Sequence, residues 1–158
     1  MFRELQRKRQ ALSQAQCLDL LRAAPRGVLS VLGDGGYPYG MPMNHFYCPE
    51  DGRIYFHCGK TGHRADALLR CPKVSFCVLD EGSPTEGDWA LTFRSVIVFG
   101  RVEPVEDRAR IYDLAARLSR KFTDDEAYIQ WELDHSGPAT AMFALVPEHI
   151  TGKVVHEK

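Results

Sequence analysis

Residues 53–73, RIYFHCGKTGHRADALLRCPK, decide how the chain is interpreted, because a strand runs through a glycine-containing turn directly into a helix. The helix is predicted to begin at Thr61, which directs its unpaired backbone N–H groups and partial positive charge toward the turn. Lys60, His63 and Arg64 add side-chain donors there, and arginine grips a phosphate through two parallel hydrogen bonds. The stretch therefore predicts a seat for a monophosphate.

The phosphate interpretation has a simpler alternative. Neither GxxxxGK[ST] nor GxGxxG occurs in the chain, so the turn belongs to neither of those phosphate-binding loops. Surface cations at a solvated helix start would give the same pattern. Taken alone, the turn leaves both interpretations open.

Composition limits the class of protein. The chain has 158 residues, of which 44% are hydrophobic and 26% charged, which fits one domain spanning residues 1–158. The formal charge of −1 provides no general basic field, so neither nucleic acid nor an anionic membrane is an expected partner. No apolar stretch has the length of a signal peptide or a membrane span, so a cytoplasmic protein is predicted. The five cysteines include no CxxC, which predicts reduced thiols.

The remaining pattern predicts a mainly β protein with inserted α-helices. Segment 1–25 holds a helix that begins at a Ser13 cap and packs on the barrel, and Thr123 to Glu126 form a capping box for a later short helix through Trp131. An apolar face predicts another helix over 111–122. Strands are predicted at 27–32, 37–47, 53–58, 73–80, 89–105 and 139–156, with a bend at Gly100 and an interruption at Pro147. Short turns between these strands favour a small antiparallel barrel.

The second predicted strand, YPYGMPMNHFY, has an unusual composition. Pro38 and Pro42 lie on the same side of a pleated strand, and each removes a ladder donor that a central strand needs. Together with Gly40 and two methionines, they favour a backbone that leaves its pairing partner to meet a flat apolar ligand, to which Asn44 offers a donor and an acceptor. The alternative is an irregular edge strand.

Four segments, in this order, resemble the FMN-binding split barrels related to pyridoxamine 5'-phosphate oxidase, and within that group the nitroimidazole-resistance proteins most closely. The segments are GYPYGMPMNHFY, GRIYFHCGKTGHRADALLRCPKVSF, RSVIVFGRVEPVED and HITGKVVH, and the resemblance runs from about residue 26 to residue 156. It implies an antiparallel FMN-binding split β-barrel that forms a homodimer, with FMN at the interface and a small-molecule substrate.

The resemblance also implies which residues of the first segment contact the cofactor. By position, the isoalloxazine and ribityl chain would lie along Met41, Pro42, Met43 and Asn44. In the third segment, Ser95 corresponds to a strand position that reaches the flavin from the partner subunit.

The second segment corresponds to the phosphate end of the cofactor. His57 and Cys58 would end their strand near the ribityl chain and phosphate, and His63 and Arg64 match the basic pair that grips the phosphate, with Lys60 in the same loop. Relatives usually carry Arg-Lys at this pair. The histidine therefore predicts an FMN affinity that depends on pH.

The implied function is an FMN-dependent oxidoreductase that passes electrons to a small aromatic or nitro-containing acceptor. A non-enzymatic flavin-binding or flavin-sensing protein is the alternative, and a split barrel that uses haem or a deazaflavin is a third interpretation. No side-chain acid or base is evident, so no catalytic residue is predicted, and Lys153 is a candidate for the flavin pyrimidine edge. The basic residues that grip substrate in pyridoxamine phosphate oxidases have no clear match, so oxidation of pyridoxamine phosphate is not expected.

A zinc site is not predicted. The histidines and cysteines that could form one lack CxxC or HxxxH spacing; they are His45, Cys48, His57, Cys58 and His63.

Overall fold

The computed structural model describes residues 1–84, 86–87 and 89–157. Within these residues the strands are β1 Arg26–Leu32, β2 Pro38–Asn44, β3 Phe46–Cys48, β4 Arg53–Gly59, β5 Lys73–Leu79, β6 Ser83–Pro84, β7 Leu91–Val105 and β8 Thr140–His156. The helices are α1 Gln14–Ala23, α2 His63–Arg70, α3 Arg108–Ser119 and α4 Glu126–Ser136. The predicted fold class, mainly β with inserted helices, is confirmed.

One antiparallel sheet curls into the split barrel. Its strand order is β2-β1-β5-β7-β8-β4-β3, with β6 paired to β7. The strands at the two ends of this order, β2 and β3, are consecutive in sequence and are separated only by His45. The curl therefore brings the ends of the sheet together at His45, whose side chain is completely buried.

The predicted single strand over 37–47 is thus two strands, and the expectation that β2 leaves its pairing partner is wrong. β2 pairs with β1 in seven consecutive positions, from Pro38 opposite Leu32 to Asn44 opposite Arg26. In the sheet order β2 pairs with β1 alone. This edge position explains the prolines, because an edge strand does not need every N–H group for the ladder.

The predicted interruption of the last strand at Pro147 is also wrong. β8 is continuous, and its register with β7 shifts instead, since Gly100 pairs with Pro147 while Phe99 pairs with His149. The extra residue on β8 is a bulge, which tolerates a proline because the ladder is locally broken. Gly100 has no room for a side chain, since a Cβ atom there would overlap the Val146 carbonyl group. Gly100, where a bend was predicted, lies opposite the bulge within a continuous β7.

The helix starts were predicted with mixed success. α1 has the expected capping box, with the Ser13 hydroxyl accepting from the Gln16 N–H. α2 begins at His63 rather than Thr61, because Gly62 at its N-cap has a φ of 106°. α4 is capped by Asp125 rather than by the predicted Thr123 box, since the Asp125 carboxylate accepts from the Tyr128 N–H, and the helix continues past Trp131 to its end at residue 136.

Two apolar clusters support the barrel. The interior cluster includes α1 residues Cys17, Leu20 and Leu21, so the N-terminal helix packs into the barrel core. The second cluster joins Ile111 and Leu114 of α3 to the outer side of β4 and β8. In the part of the chain that the structure describes, no helix is long and apolar enough to cross a bilayer.

Candidate functional site

The N-terminus of α2 is open to a ligand. Gly62 at the N-cap has no side chain, and the described residues supply no other side-chain cap. The first-turn N–H groups therefore keep the partial positive charge of a helix N-terminus. The predicted feature, an anion-attracting helix start after β4, is present two residues later than expected.

Arg64 is the cation best placed to use this helix start. Its side chain borders an open pocket of about 550 Å³, and it makes no hydrogen bond or ion pair with any residue that the structure describes. The other residues that line the pocket come from β4, the end of α4 and the start of β8: His57, Cys58, Gly59, His135, Ser136, Ala139 and Thr140. An unpaired guanidinium in a pocket without carboxylates among these residues favours an anionic ligand.

The two β4 side chains beside Arg64 are electrostatically distinct. Burial, and then the positive charge of Arg64, lower the pKa of His57. Burial raises the pKa of the Cys58 thiol, and Arg64 opposes that shift only in part. Both groups are therefore neutral near pH 7, and the positive charge at this end of the pocket belongs to Arg64.

Lys60 ties the turn after β4 to the segment between α4 and β8. Its ammonium group donates to the Pro138 carbonyl at 2.6 Å, in the short connection between α4 and β8. An ammonium group has three donors, so this bond leaves two for another acceptor. Lys60 follows Gly59, which lines the Arg64 pocket, and its predicted contact with the phosphate stays a prediction.

His63 has a different set of neighbours. Its Nε2 lies 3.5 Å from an Asp34 carboxylate oxygen, and its ring stacks on Tyr39 with centroids 4.3 Å apart. Asp34 also accepts from Arg70 at 3.0 Å, so this aspartate fastens both ends of α2 to the β1–β2 turn. His63 does not line the pocket that Arg64 borders, and its predicted contact with the phosphate stays a prediction.

The predicted β2 contacts divide between the two sides of the strand. Met41 and Met43 are only 1% and 3% exposed and belong to the barrel core. Pro42 and Asn44 lie on the outer side, where the side-chain Oδ1 of Asn44 accepts from Arg26 Nε at 2.8 Å. A ligand on the outer side of β2 would therefore meet Pro42, Asn44 and the backbone rather than the methionine side chains.

Ser95 lies on the outer side of β7, opposite Lys153 of β8. Three strand steps separate β7 from β2 in the sheet order, which at the usual spacing is about 14 Å along the sheet. Within one chain, Ser95 is therefore remote from Pro42 and Asn44. Within one chain these positions are too far apart to contact the same atoms of a ligand.

The candidate zinc residues have other contacts. His45 Nε2 lies 2.7 Å from the Leu21 carbonyl oxygen, and the Cys48 thiol donates to Glu50 at 3.0 Å. Among the described residues, no three histidine, cysteine or acidic side chains are grouped so that they could hold a metal ion.

Sequence reasoning missed one wall of the Arg64 pocket. His135, Ser136 and Thr140 reach it because β8 pairs with β4, placing Thr140 opposite Gly59. No local motif marks these residues, since their position depends on strand pairing across more than 70 residues.

The split antiparallel barrel defines the fold class of this protein, and among the described residues its α2 start has no side-chain cap and Arg64 has no bonded partner. Residues 13–154 match the family described as pyridoxamine 5'-phosphate oxidase, and the chain belongs to that family. No curated protein matches the chain.

Solved structures share the fold. A protein from Bacteroides thetaiotaomicron, described as a candidate 5-nitroimidazole antibiotic resistance protein, is 19% identical with a TM-score of 0.77, over 93% of this chain and 87% of its own. An FAD-binding protein from Mesorhizobium loti is 23% identical with a TM-score of 0.71, over 92% and 97%. The flavocytochrome Anf3 from Azotobacter vinelandii is 20% identical with a TM-score of 0.72, over 96% and 72%.

Proposed function

We propose that this protein binds FMN and uses it to reduce a small aromatic or nitro-containing acceptor. The observation that carries the proposal is the Arg64 guanidinium beside the start of α2, neither of which has a side-chain partner among residues 1–84, 86–87 and 89–157. A terminal phosphate fits this donor set, because it accepts two parallel bonds from arginine and others from backbone N–H groups. Lys60, in the turn before α2, can add a further donor.

Family membership and the neighbouring structures support a flavin as the rest of the ligand. The chain belongs to the pyridoxamine 5'-phosphate oxidase family, and structures with the same fold include an FAD-binding protein and a flavocytochrome. Bound FMN would supply the electron transfer, while the protein supplies position and electrostatics. The neutral His57 beside Arg64 suits a role in orienting the cofactor or the acceptor.

We further propose that two copies of the chain share the cofactor. A row of partnered residues crosses five strands on the outer side of the sheet: Pro42, Val28, Cys77, Ile97 and Thr151. Val28 and Ile97 are 40% and 38% exposed, and Leu79 and Phe99 beside them are also exposed. An apolar sheet surface of this kind is typical of a subunit interface.

This arrangement gives Ser95 and Lys153 a role that one chain cannot provide. Both lie on the same outer side as the apolar row, remote from the β2 residues of their own chain. A two-fold partner can present them to a flavin held on β2 of the first copy. Lys153 at the pyrimidine edge would stabilise negative charge on the reduced ring.

The test is to titrate the cofactor-free protein with FMN and with riboflavin, which differ only in the phosphate. FMN should bind more tightly, and visible spectra of the purified protein should show flavin bands rather than a haem Soret band. Addition of NADH or NADPH with an acceptor then separates an oxidoreductase from a protein that only holds flavin. Equal affinity for the two ligands would contradict the assignment of the phosphate seat.

A further inference from the structure

A second cavity lies between α3, α4 and the outer side of β4, separate from the proposed phosphate seat. Its volume is about 280 Å³. Ile111, Ala115, Leu118 and Leu133 supply apolar walls, while Glu132 and His57 add polar groups. No sequence motif indicates this cavity, because its two helices meet only in the folded chain.

The cavity adjoins the Arg64 pocket. His57, Ser136 and Thr140 line both spaces. The His57 side chain therefore lies at the boundary between the two spaces, with the apolar cavity on one side and Arg64 on the other. A molecule in the cavity would lie directly beside a ligand that occupies the Arg64 pocket.

The walls around the cavity are held in place by specific contacts. Arg108 donates to the Gly137 carbonyl at 2.7 Å and to the Thr140 carbonyl at 3.1 Å, and its guanidinium lies 5.2 Å from the centre of the Tyr112 ring. Gly137 packs so closely that a Cβ atom there would come within 2.9 Å of Tyr112. The connection between α4 and β8 is thus fixed against α3, and the cavity is a preformed space.

Size and charge restrict what the cavity can hold. Its volume is at the lower end of the range for small-molecule sites, which suits a single aromatic ring rather than a tricyclic flavin. The Glu132 carboxylate, which accepts from the Ser136 hydroxyl at 3.2 Å, would repel an anionic ring. The apolar walls favour a neutral one.

We infer that this cavity binds a neutral single-ring aromatic compound. Ring binding itself rests only on the cavity, so it is measurable in protein that contains no cofactor.

The test uses nitrobenzene as the neutral probe and 4-nitrobenzoate as its anionic counterpart. Saturation-transfer NMR on the cofactor-free protein should detect nitrobenzene binding. In Arg64→Ala, where the anion has no guanidinium to occupy, 4-nitrobenzoate should bind at least about tenfold more weakly than nitrobenzene. Ala115→Phe and Leu133→Trp each fill the cavity from a different helix and should weaken nitrobenzene binding at least about tenfold. Ala109→Phe, an equivalent substitution at an exposed position of α3, should leave it unchanged.

Wild-type ¹H–¹⁵N spectra provide a reading that does not depend on how the variants fold. Nitrobenzene should shift the amide signals of Ala115 and Leu133 and leave that of Ala109 in place. Shifts confined to other regions, or unchanged nitrobenzene affinity in folded cavity-filling variants, would overturn the inference. An FMN titration of the wild-type protein keeps the two proposals distinct, since absence of FMN binding there contradicts the proposed function and leaves the ring-binding result standing.

Discussion

Replacing Arg64 by alanine should weaken FMN binding and leave riboflavin binding almost unchanged. The guanidinium makes no bond to the described residues that it would have to give up, so its contact with the phosphate is a net gain. A charge-assisted hydrogen bond contributes roughly 1.5–3 kcal/mol. The Kd for FMN should therefore rise roughly 10- to 150-fold.

His63→Ala is the informative comparison on the same helix. His63 already faces Asp34 and stacks on Tyr39, so a phosphate would have to compete for its ring. We expect the Kd for FMN to change less than in Arg64→Ala. The resemblance to relatives predicts instead that both residues grip the phosphate, which would give losses of similar size.

Isothermal titration of each variant with FMN and with riboflavin measures the phosphate contribution as a difference between ligands. Arg22→Ala is the matched control, because that arginine is exposed on α1 and pairs with Asp19. A parallel loss of both ligands in Arg64→Ala would indicate a damaged fold rather than a lost phosphate contact. Unchanged FMN binding would place the phosphate elsewhere and refute the reasoning.

Three further outcomes are expected. Burial lowers the pKa of His45 from 6.5 to about 4, so the unfolded state takes up the proton first as the pH falls. About 3 kcal/mol of stability is therefore lost between pH 6.5 and pH 4. Urea unfolding of His45→Leu should show a weaker pH dependence of stability, and an equal slope would contradict this prediction. Light scattering should give a molar mass of twice 17.9 kDa, as expected for a dimer. Ile97→Arg should give monomers that bind FMN more weakly, and a monomer that binds FMN tightly would exclude the shared pocket. Gly100→Ala should destabilise the fold by roughly 1–3 kcal/mol through overlap with Val146, measured by urea unfolding, and an unchanged midpoint would refute this.

Much of the secondary structure was predictable because its causes are local. The Ser13 capping box, the glycines of the β1–β2 turn and the two edge-strand prolines each restrict the backbone within a few residues. Predictions failed where distant partners decided the outcome. The register of β7 against β8 lets β8 continue through Pro147, and Asp125 rather than Thr123 caps α4.

The candidate site shows the same division. The sequence by itself determined that β4 ends in a glycine turn with cations at the start of a helix, because residue type and chain direction fix those features within one segment. Only the tertiary structure decided that His63 lies against Asp34 while Arg64 has no bonded partner in the described part of the chain, since the neighbours come from separate elements. It also decided that β8 and α4 complete the pocket and that α3 and α4 enclose a cavity beside His57. These features depend on side chains brought together by strand pairing and helix packing, which no local sequence pattern records.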